Sequence, residues 1–294
     1  MELEFWKMSG AGNDFIVINN MDGKLPEEGR GDVFARWCRR GTDIGSDGVL
    51  VLEPARKPGA HFRMRYYNAD GGEAETCGNG SRCIARFAHE QGVAPEKLCF
   101  ETMAGLYEAH VLPSGEVAVQ ITDAHSVREG IRIDPAGAAV GAPSTVGPDA
   151  WAGEVHFINT GVPHVVVFVD DLEGTDVTGI GRRLRYHPEF MPAGTNVNFV
   201  RVRDPHHLEV RTYERGVEAE TLACGTGAVA SAIIATRQLL AQQPVGVKTA
   251  SGEVLTISFE PTDEGARRVL LQGSANIVFR GYVECELLEE AGAR

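Results

Sequence analysis

Two copies of one short turn, half a chain apart, constrain this sequence more than any other feature. Thr76-Cys77-Gly78-Asn79-Gly80-Ser81 is followed by apolar residues at helical spacing, and so is Ala223-Cys224-Gly225-Thr226-Gly227-Ala228. A cysteine just ahead of a helix-opening Gly-x-Gly, kept in both halves, is what a duplicated domain leaves behind. The expectation is two pseudo-equivalent domains facing each other. At 294 residues the chain is long for one average domain and sufficient for two, each with its own core.

Around the two turns, short alternating runs at 61–68, 117–122, 164–169, 196–202 and 208–213 read as strands, punctuated by Gly, Pro and Asp. Helical spacing is confined to 32–40, 81–90, a stretch around 180–186, and 228–240. Few helices among closely spaced strands predict an α+β fold with antiparallel sheet rather than a doubly wound one. A stretch rich in Gly, Ala and Pro at 123–148 is the expected linker region. The expected domains are 1–122 plus 277–294, carrying Cys77, and 123–276, carrying Cys224.

The charge balance narrows the partners. With 28 Lys and Arg against 41 Asp and Glu, the formal charge is −13, which disfavours nucleic acid and anionic membrane and suits a small polar substrate. The opening Met1-Glu2-Leu3-Glu4 lacks the basic segment and following apolar run of a secretory signal, and no membrane-length apolar stretch occurs, so a cytoplasmic protein is expected. In that setting the six cysteines should be thiols, and without a Cys-x-x-Cys pair no metal site is expected. Cys38, Cys83, Cys99 and Cys285 read as core residues.

At each turn, unpaired backbone N–H groups and the positive end of the helix dipole favour a thiolate, so the thiol pKa is expected to fall from roughly 8.5 towards 7 or below. The same N–H groups suit a substrate carboxylate. Positive potential on one carboxylate would stabilise the carbanion left when an α-proton is removed, and a second thiol on the far face would return a proton with inversion. One such cysteine alone is better read as a small buried residue at a helix start. Two matching turns favour chemistry.

Other runs supply polar groups. Gly10-Ala11-Gly12-Asn13-Asp14-Phe15 offers Asn13, but neither it nor Gly45-Ser46-Asp47-Gly48 forms a nucleotide-binding fingerprint. Asn68-Ala69-Asp70-Gly71-Gly72 is either an Asx turn or a source of polar groups near Cys77. Asn159-Thr160-Gly161-Val162-Pro163-His164 puts a histidine at the head of an apolar strand, where a structural role is the commoner one. Gly194-Thr195-Asn196-Val197-Asn198-Phe199 adds amides able to bind ammonium and carboxylate. Tyr213-Glu214-Arg215-Gly216 adds an acid and a base, for which an exposed ion pair is the plain alternative. Two thiols, several Asn, one Arg and one Glu suit a zwitterionic amino acid.

Taken in order from residue 10 to residue 227, these runs resemble the diaminopimelate epimerase family. The resemblance implies two similar α+β domains, each a curled, mostly antiparallel sheet around a central helix, and commonly a homodimer. It implies conversion of LL-diaminopimelate to the meso form with no cofactor, on the route to lysine and peptidoglycan. By the same resemblance Cys77 and Cys224 are the acid/base pair, with His164 and Glu214 beside them. Asn13, Asn68, Asn196, Glu214 and Arg215 hold the substrate, and the backbones of Gly78-Asn79 and Gly225-Thr226 hold the reacting carboxylate. Two positions depart from the pattern: Gly72 stands where Ser is frequent, and Val162 where many members have a substrate-binding Asn, with Asn159 three residues earlier as a replacement amide. The competing readings are a proline or hydroxyproline racemase using the same chemistry, and a binding or redox-sensing protein that kept the fold without the reaction.

Overall fold

The computed structural model describes residues 2–74, 77–133 and 153–285. Thr76 and most of the expected linker, 134–148, lie outside the described residues. The first half of the chain forms β1 (Glu2–Gly10), β2 (Asn13–Asn19), α1 (Arg30–Trp37), β3 (Gly48–Glu53), β4 (Phe62–Asn68), β5 (Glu73–Ala74), α2 (Gly78–Glu90), β6 (Lys97–Thr102), β7 (Gly105–Val111) and β8 (Val117–Gln120). Then come β9 (His125–Ile133), β10 (Gly153–Asn159), β11 (Pro163–Phe168), α3 (Val177–Arg185), β12 (Asn196–Asp204), β13 (His207–Glu214) and β14 (Ala219–Thr221). The chain continues with α4 (Gly225–Arg237), β15 (Val245–Lys248), β16 (Val254–Thr262), β17 (Gly265–Gly273) and β18 (Asn276–Glu284). Residues 125–133, inside the expected linker region, are therefore a strand. No helix among the described residues is long and apolar enough to cross a membrane.

Contacts divide the chain into two compact units, one made of the residues up to Gln120 and those from Gln272 onward, the other of Ile121–Leu271. In the first, β1 runs antiparallel to β18 and β2, β2 is parallel to β3, and β3, β4 and β5 follow antiparallel. A parallel pairing of β4 with β6 leads to the antiparallel β7 and β8. The second unit repeats the plan. There β10 runs antiparallel to β9 and β11, β11 is parallel to β12, and β12, β13 and β14 follow antiparallel. A parallel pairing of β13 with β15 leads to the antiparallel β16.

Each unit wraps its sheet around one helix. Strands β1, β2, β3, β7 and β8 all pack on α2, and β10 to β13, β15 and β16 all pack on α4. The sequence of α4 explains its position: with residues 227–235 all buried and only Ser231 polar among them, it has no face to offer water. The outer face of each sheet is closed by a second helix. Phe34 and Trp37 of α1 pack with Ile16, Val49 and Tyr67, and Val177 and Leu184 of α3 with Val165, Val197 and Tyr213. Strand β2 is consequently buried on both faces, and its core run Phe15-Ile16-Val17-Ile18 is continuously apolar rather than alternating.

The repeated plan puts residues of the two units into correspondence. In the first unit a Cβ on Gly80 would meet Leu50, and in the second a Cβ on Gly227 would meet Asn198. With those positions matched, Phe15 opposite Gly48 corresponds to His164 opposite Asn196, and Leu50 opposite Tyr66 corresponds to Asn198 opposite Thr212.

Candidate active site

In the first unit Cys77 is the last extended residue before α2, with φ −143° and ψ 121°. Its carbonyl accepts the first helical bond, from the Ser81 N–H at 2.7 Å. Its side chain makes no capping hydrogen bond. The amide of Asn79 donates to the Asn13 side chain at 2.8 Å and accepts from the buried Arg82 guanidinium at 2.7 Å, while Asn13 donates to Asp47 at 3.0 Å. This chain of bonds sets which way the Asn13 amide points. Behind it, Asp14 pairs with Lys7 at 2.8 Å and with Arg40; burial pushes the Asp14 carboxyl up, but its bonds to the two cations bring it down to about 2. Asn68 is exposed at the end of β4, and Asp70 accepts from the Gly72 N–H at 2.9 Å, so the turn that follows is an Asx turn.

The second unit repeats the turn with different surroundings. Cys224 is extended, with φ −128° and ψ 106°, and its carbonyl accepts from the Ala228 N–H at 2.9 Å. His164 is fully buried, with Nε2 3.0 Å from the Thr226 hydroxyl and Nδ1 3.1 Å from the Asn198 amide nitrogen. The Thr226 hydroxyl lies 3.5 Å from the Cys224 sulfur. Asn196 is also buried; its amide donates to the Pro163 carbonyl at 3.0 Å and accepts from the Arg215 N–H at 2.8 Å, pinning the start of β12 to the turn after β13. Arg215 donates to the Ala193 carbonyl at 3.0 Å, and Glu214 is half-buried at the end of β13. Asn159 accepts from the Gly161 N–H at 2.9 Å, so its carbonyl oxygen serves its own turn.

The thiols depart from the expectation. Burial pushes the Cys77 thiol up, and the Gly80 and Asn79 N–H groups together with Arg82 only partly oppose it. Burial, reinforced by the nearby Glu214 carboxylate, pushes Cys224 up to about 11 against the Thr226 hydroxyl and the N–H groups of Gly227 and Thr226. The helix-end donors act in the expected direction, but removing a thiolate from water costs more than they return. His164 moves the other way: burial, then the Arg215 cation, push it down to about 3. At neutral pH it is an uncharged hydrogen-bonding group.

The structure thus gathers Cys77, Gly78, Asn79 and Asn13 in the first unit, with Asn68 exposed at the end of β4 and its backbone bonded within its own turn. In the second it gathers Cys224, Gly225, Thr226, His164, Asn196, Glu214 and Arg215. Cys38, Cys83 and Cys285 are buried as expected, whereas Cys99 is only half-buried on β6, opposite Glu108 of β7. Asn198, read from the sequence as an amide for ligands, is wholly buried and bonded inside the unit. The Thr226 hydroxyl and the carboxylate of Asp47 are site groups that the motifs did not single out. Their signal was adjacency: one lies two residues after a turn cysteine, the other beside a Gly-rich turn.

A family model described as "Diaminopimelate epimerase" matches residues 5–127 and 156–278. A diaminopimelate epimerase of Aquifex aeolicus (strain VF5) is 44% identical over 295 residues, covering 98% of this chain and 100% of the relative. Another, of Hydrogenobaculum sp. (strain Y04AAS1), is 43% identical over 290 residues, covering 96% and 98%. Among solved structures, a phenazine biosynthesis protein of the PhzF family from Enterococcus faecalis superposes with a TM-score of 0.65 at 16% identity, covering 97% of this chain and 100% of that one. At that identity the likeness speaks for the fold alone.

Proposed function

The chain belongs to the diaminopimelate epimerase family, and from that premise we propose that it converts LL-diaminopimelate to the meso isomer by a two-thiol exchange that needs no cofactor. One cysteine, as thiolate, takes the α-proton; the C–H bond breaks and its electron pair delocalises into the α-carboxylate. The other cysteine, as thiol, gives its proton to the opposite face of the same carbon and is left as thiolate. Each turnover exchanges the protonation states of Cys77 and Cys224.

The observation that carries this reading is the equivalence of the two cysteines: the same extended residue, ahead of the enclosed helix, in two units of the same plan. A reaction that must run in both directions through a planar intermediate calls for one acid/base on each face, and duplication supplies two of one kind. The backbone N–H groups at Gly78-Asn79 and Gly225-Thr226 hold the reacting carboxylate, where they stabilise the charge that develops on it. Asn13, Asn68, Asn196, Glu214 and Arg215 hold the remaining polar groups of the diamino acid. His164 stands beside Cys224 as a neutral donor, and Glu214 as a carboxylate. On the same reading the enzyme is a cytoplasmic homodimer that serves lysine and peptidoglycan precursor synthesis.

The test is incorporation of solvent deuterium at the α-carbon of LL-diaminopimelate by the purified protein with no added cofactor, with proline and trans-4-hydroxyproline as parallel substrates. Exchange with the diamino acid alone is the expected result. Exchange with neither class, or only with the cyclic ones, refutes the assignment.

A further inference from the structure

Beneath the two cysteine turns the units differ in one respect that their shared plan does not require. In the first unit the helix rests on Phe15 and Leu50, both buried and apolar. The corresponding positions in the second unit are His164 and Asn198, neither with any exposed surface. The fold therefore accepts hydrocarbon at both places, and burying an imidazole and an amide there instead is unfavourable unless every polar atom finds a partner.

Every one does. The Asn198 amide nitrogen donates to the Val165 carbonyl at 2.9 Å and stands 3.1 Å from His164 Nδ1, while its oxygen accepts from the Thr212 hydroxyl at 3.0 Å. The amide has one possible orientation, because turning it over would set its oxygen against the Val165 carbonyl oxygen. With nitrogen facing His164, Nδ1 must accept, so the neutral ring carries its proton on Nε2. That proton points at the Thr226 oxygen 3.0 Å away. The Thr226 hydroxyl, having accepted there, turns its own hydrogen to the Cys224 sulfur at 3.5 Å.

We propose that Asn198 is a positioning residue: by fixing His164 as the Nε2–H tautomer it turns the Thr226 hydroxyl onto the Cys224 sulfur and stabilises that thiolate. The first unit, with Phe15 and Leu50 in these places, has no counterpart to this relay, so the two thiols are made unequal. The use of the relay in turnover rests on the two-thiol reading above; its existence does not, and its test needs no substrate.

Nitrogen NMR of protein labelled in its histidine rings reads the tautomer directly. The expected result is His164 protonated at Nε2 between about pH 7.5 and 9, where an ordinary imidazole is neutral; protonation at Nδ1 overturns the proposal without any variant. The second measurement is the rate of alkylation at Cys224, followed by peptide mass spectrometry. Thr226→Val removes the last donor and should slow alkylation roughly three- to tenfold, whereas Thr226→Ser should react as the unaltered protein does. Asn198→Leu, which copies Leu50 of the first unit, removes the donor that holds Nδ1 as the acceptor and should slow alkylation by up to a similar factor alone, but by less than about twofold in the Thr226→Val background. Alkylation unchanged in Thr226→Val, or a full additional effect of Asn198→Leu in that background, refutes the relay. Normal relay behaviour with no α-proton exchange would instead refute the two-thiol reading and leave the relay standing.

Discussion

A Cβ on Gly227 would come within 2.3 Å of the Asn198 side-chain oxygen, whereas a Cβ on the corresponding Gly80 would meet Leu50 at 3.1 Å. The same contact is therefore far tighter under the second cysteine turn than under the first.

The two glycines should respond differently to alanine. Alanine favours a helix by up to about 1 kcal/mol over glycine, and at Gly80 the flexible Leu50 end can move, so Gly80→Ala should change stability by no more than about 1 kcal/mol. At Gly227 the methyl group must displace an amide held by its own hydrogen bonds, and Gly227→Ala should destabilise by about 1–3 kcal/mol. Urea unfolding of the two variants checks the order; equal effects would contradict the packing described for Asn198.

Serine is a far commoner helix N-cap than cysteine, because its oxygen accepts from the second or third N–H of the helix. Neither Cys77 nor Cys224 makes such a bond as a thiol, although the same N–H groups favour its thiolate. Cys77→Ser and Cys224→Ser should each raise thermal stability by up to about 1 kcal/mol while lowering epimerisation by roughly 10²- to 10⁴-fold. Melting temperature and the deuterium-exchange rate, measured on the same preparations, check the opposition; a serine variant with near-unaltered turnover would remove that cysteine from the reaction.

His164 makes stability depend on acidity. Its folded-state pKa of about 3 lies below the ordinary 6.5, so below that value the unfolded chain binds a proton that the folded chain refuses. Its contribution is whole above pH 6.5 and is lost as pH falls towards 3, to an extent on the order of 5 kcal/mol. His164→Phe, which copies Phe15 of the first unit, should flatten the acid limb of a stability profile. An unchanged acid limb would show that other groups set it.

Asp47 holds Asn13 by a 3.0 Å bond from its amide, and the reading above gives Asn13 a substrate contact. Asp47→Ala should raise KM for diaminopimelate about three- to tenfold with little change in kcat, since it loosens a binding group and leaves both thiols in place. A fall in kcat at unaltered KM would move Asn13 from binding to chemistry.

Much of this was legible in the residues. The runs at 61–68 and 208–213 became β4 and β13, and helices formed at all four places where apolar residues recur at helical spacing, with starts two or three residues earlier in most cases because Gly-rich first turns carry no apolar signal. The parallel pairings of β2 with β3 and β11 with β12 were not legible, since pairing partners come from tertiary placement. The cysteines were legible as site residues but their ionisation was not. A helix terminus can be read from sequence, whereas the burial that overrides it at Cys77 and Cys224 exists only once the strands have closed around α2 and α4. The burial of Asn198 was not legible for the same reason: an amide in a strand looks alike whether it faces a ligand or the interior.

Each sulfur rides on the stub of backbone directly ahead of a rod gripped on all sides by strands. Surface loops can lengthen or shorten without disturbing it, but one residue inserted into or deleted from α2 or α4 would swing the stub by about 100° around the axis and slide it about 1.5 Å. A change of length at the periphery should therefore be tolerated where a change of one residue in either 13-residue rod is not.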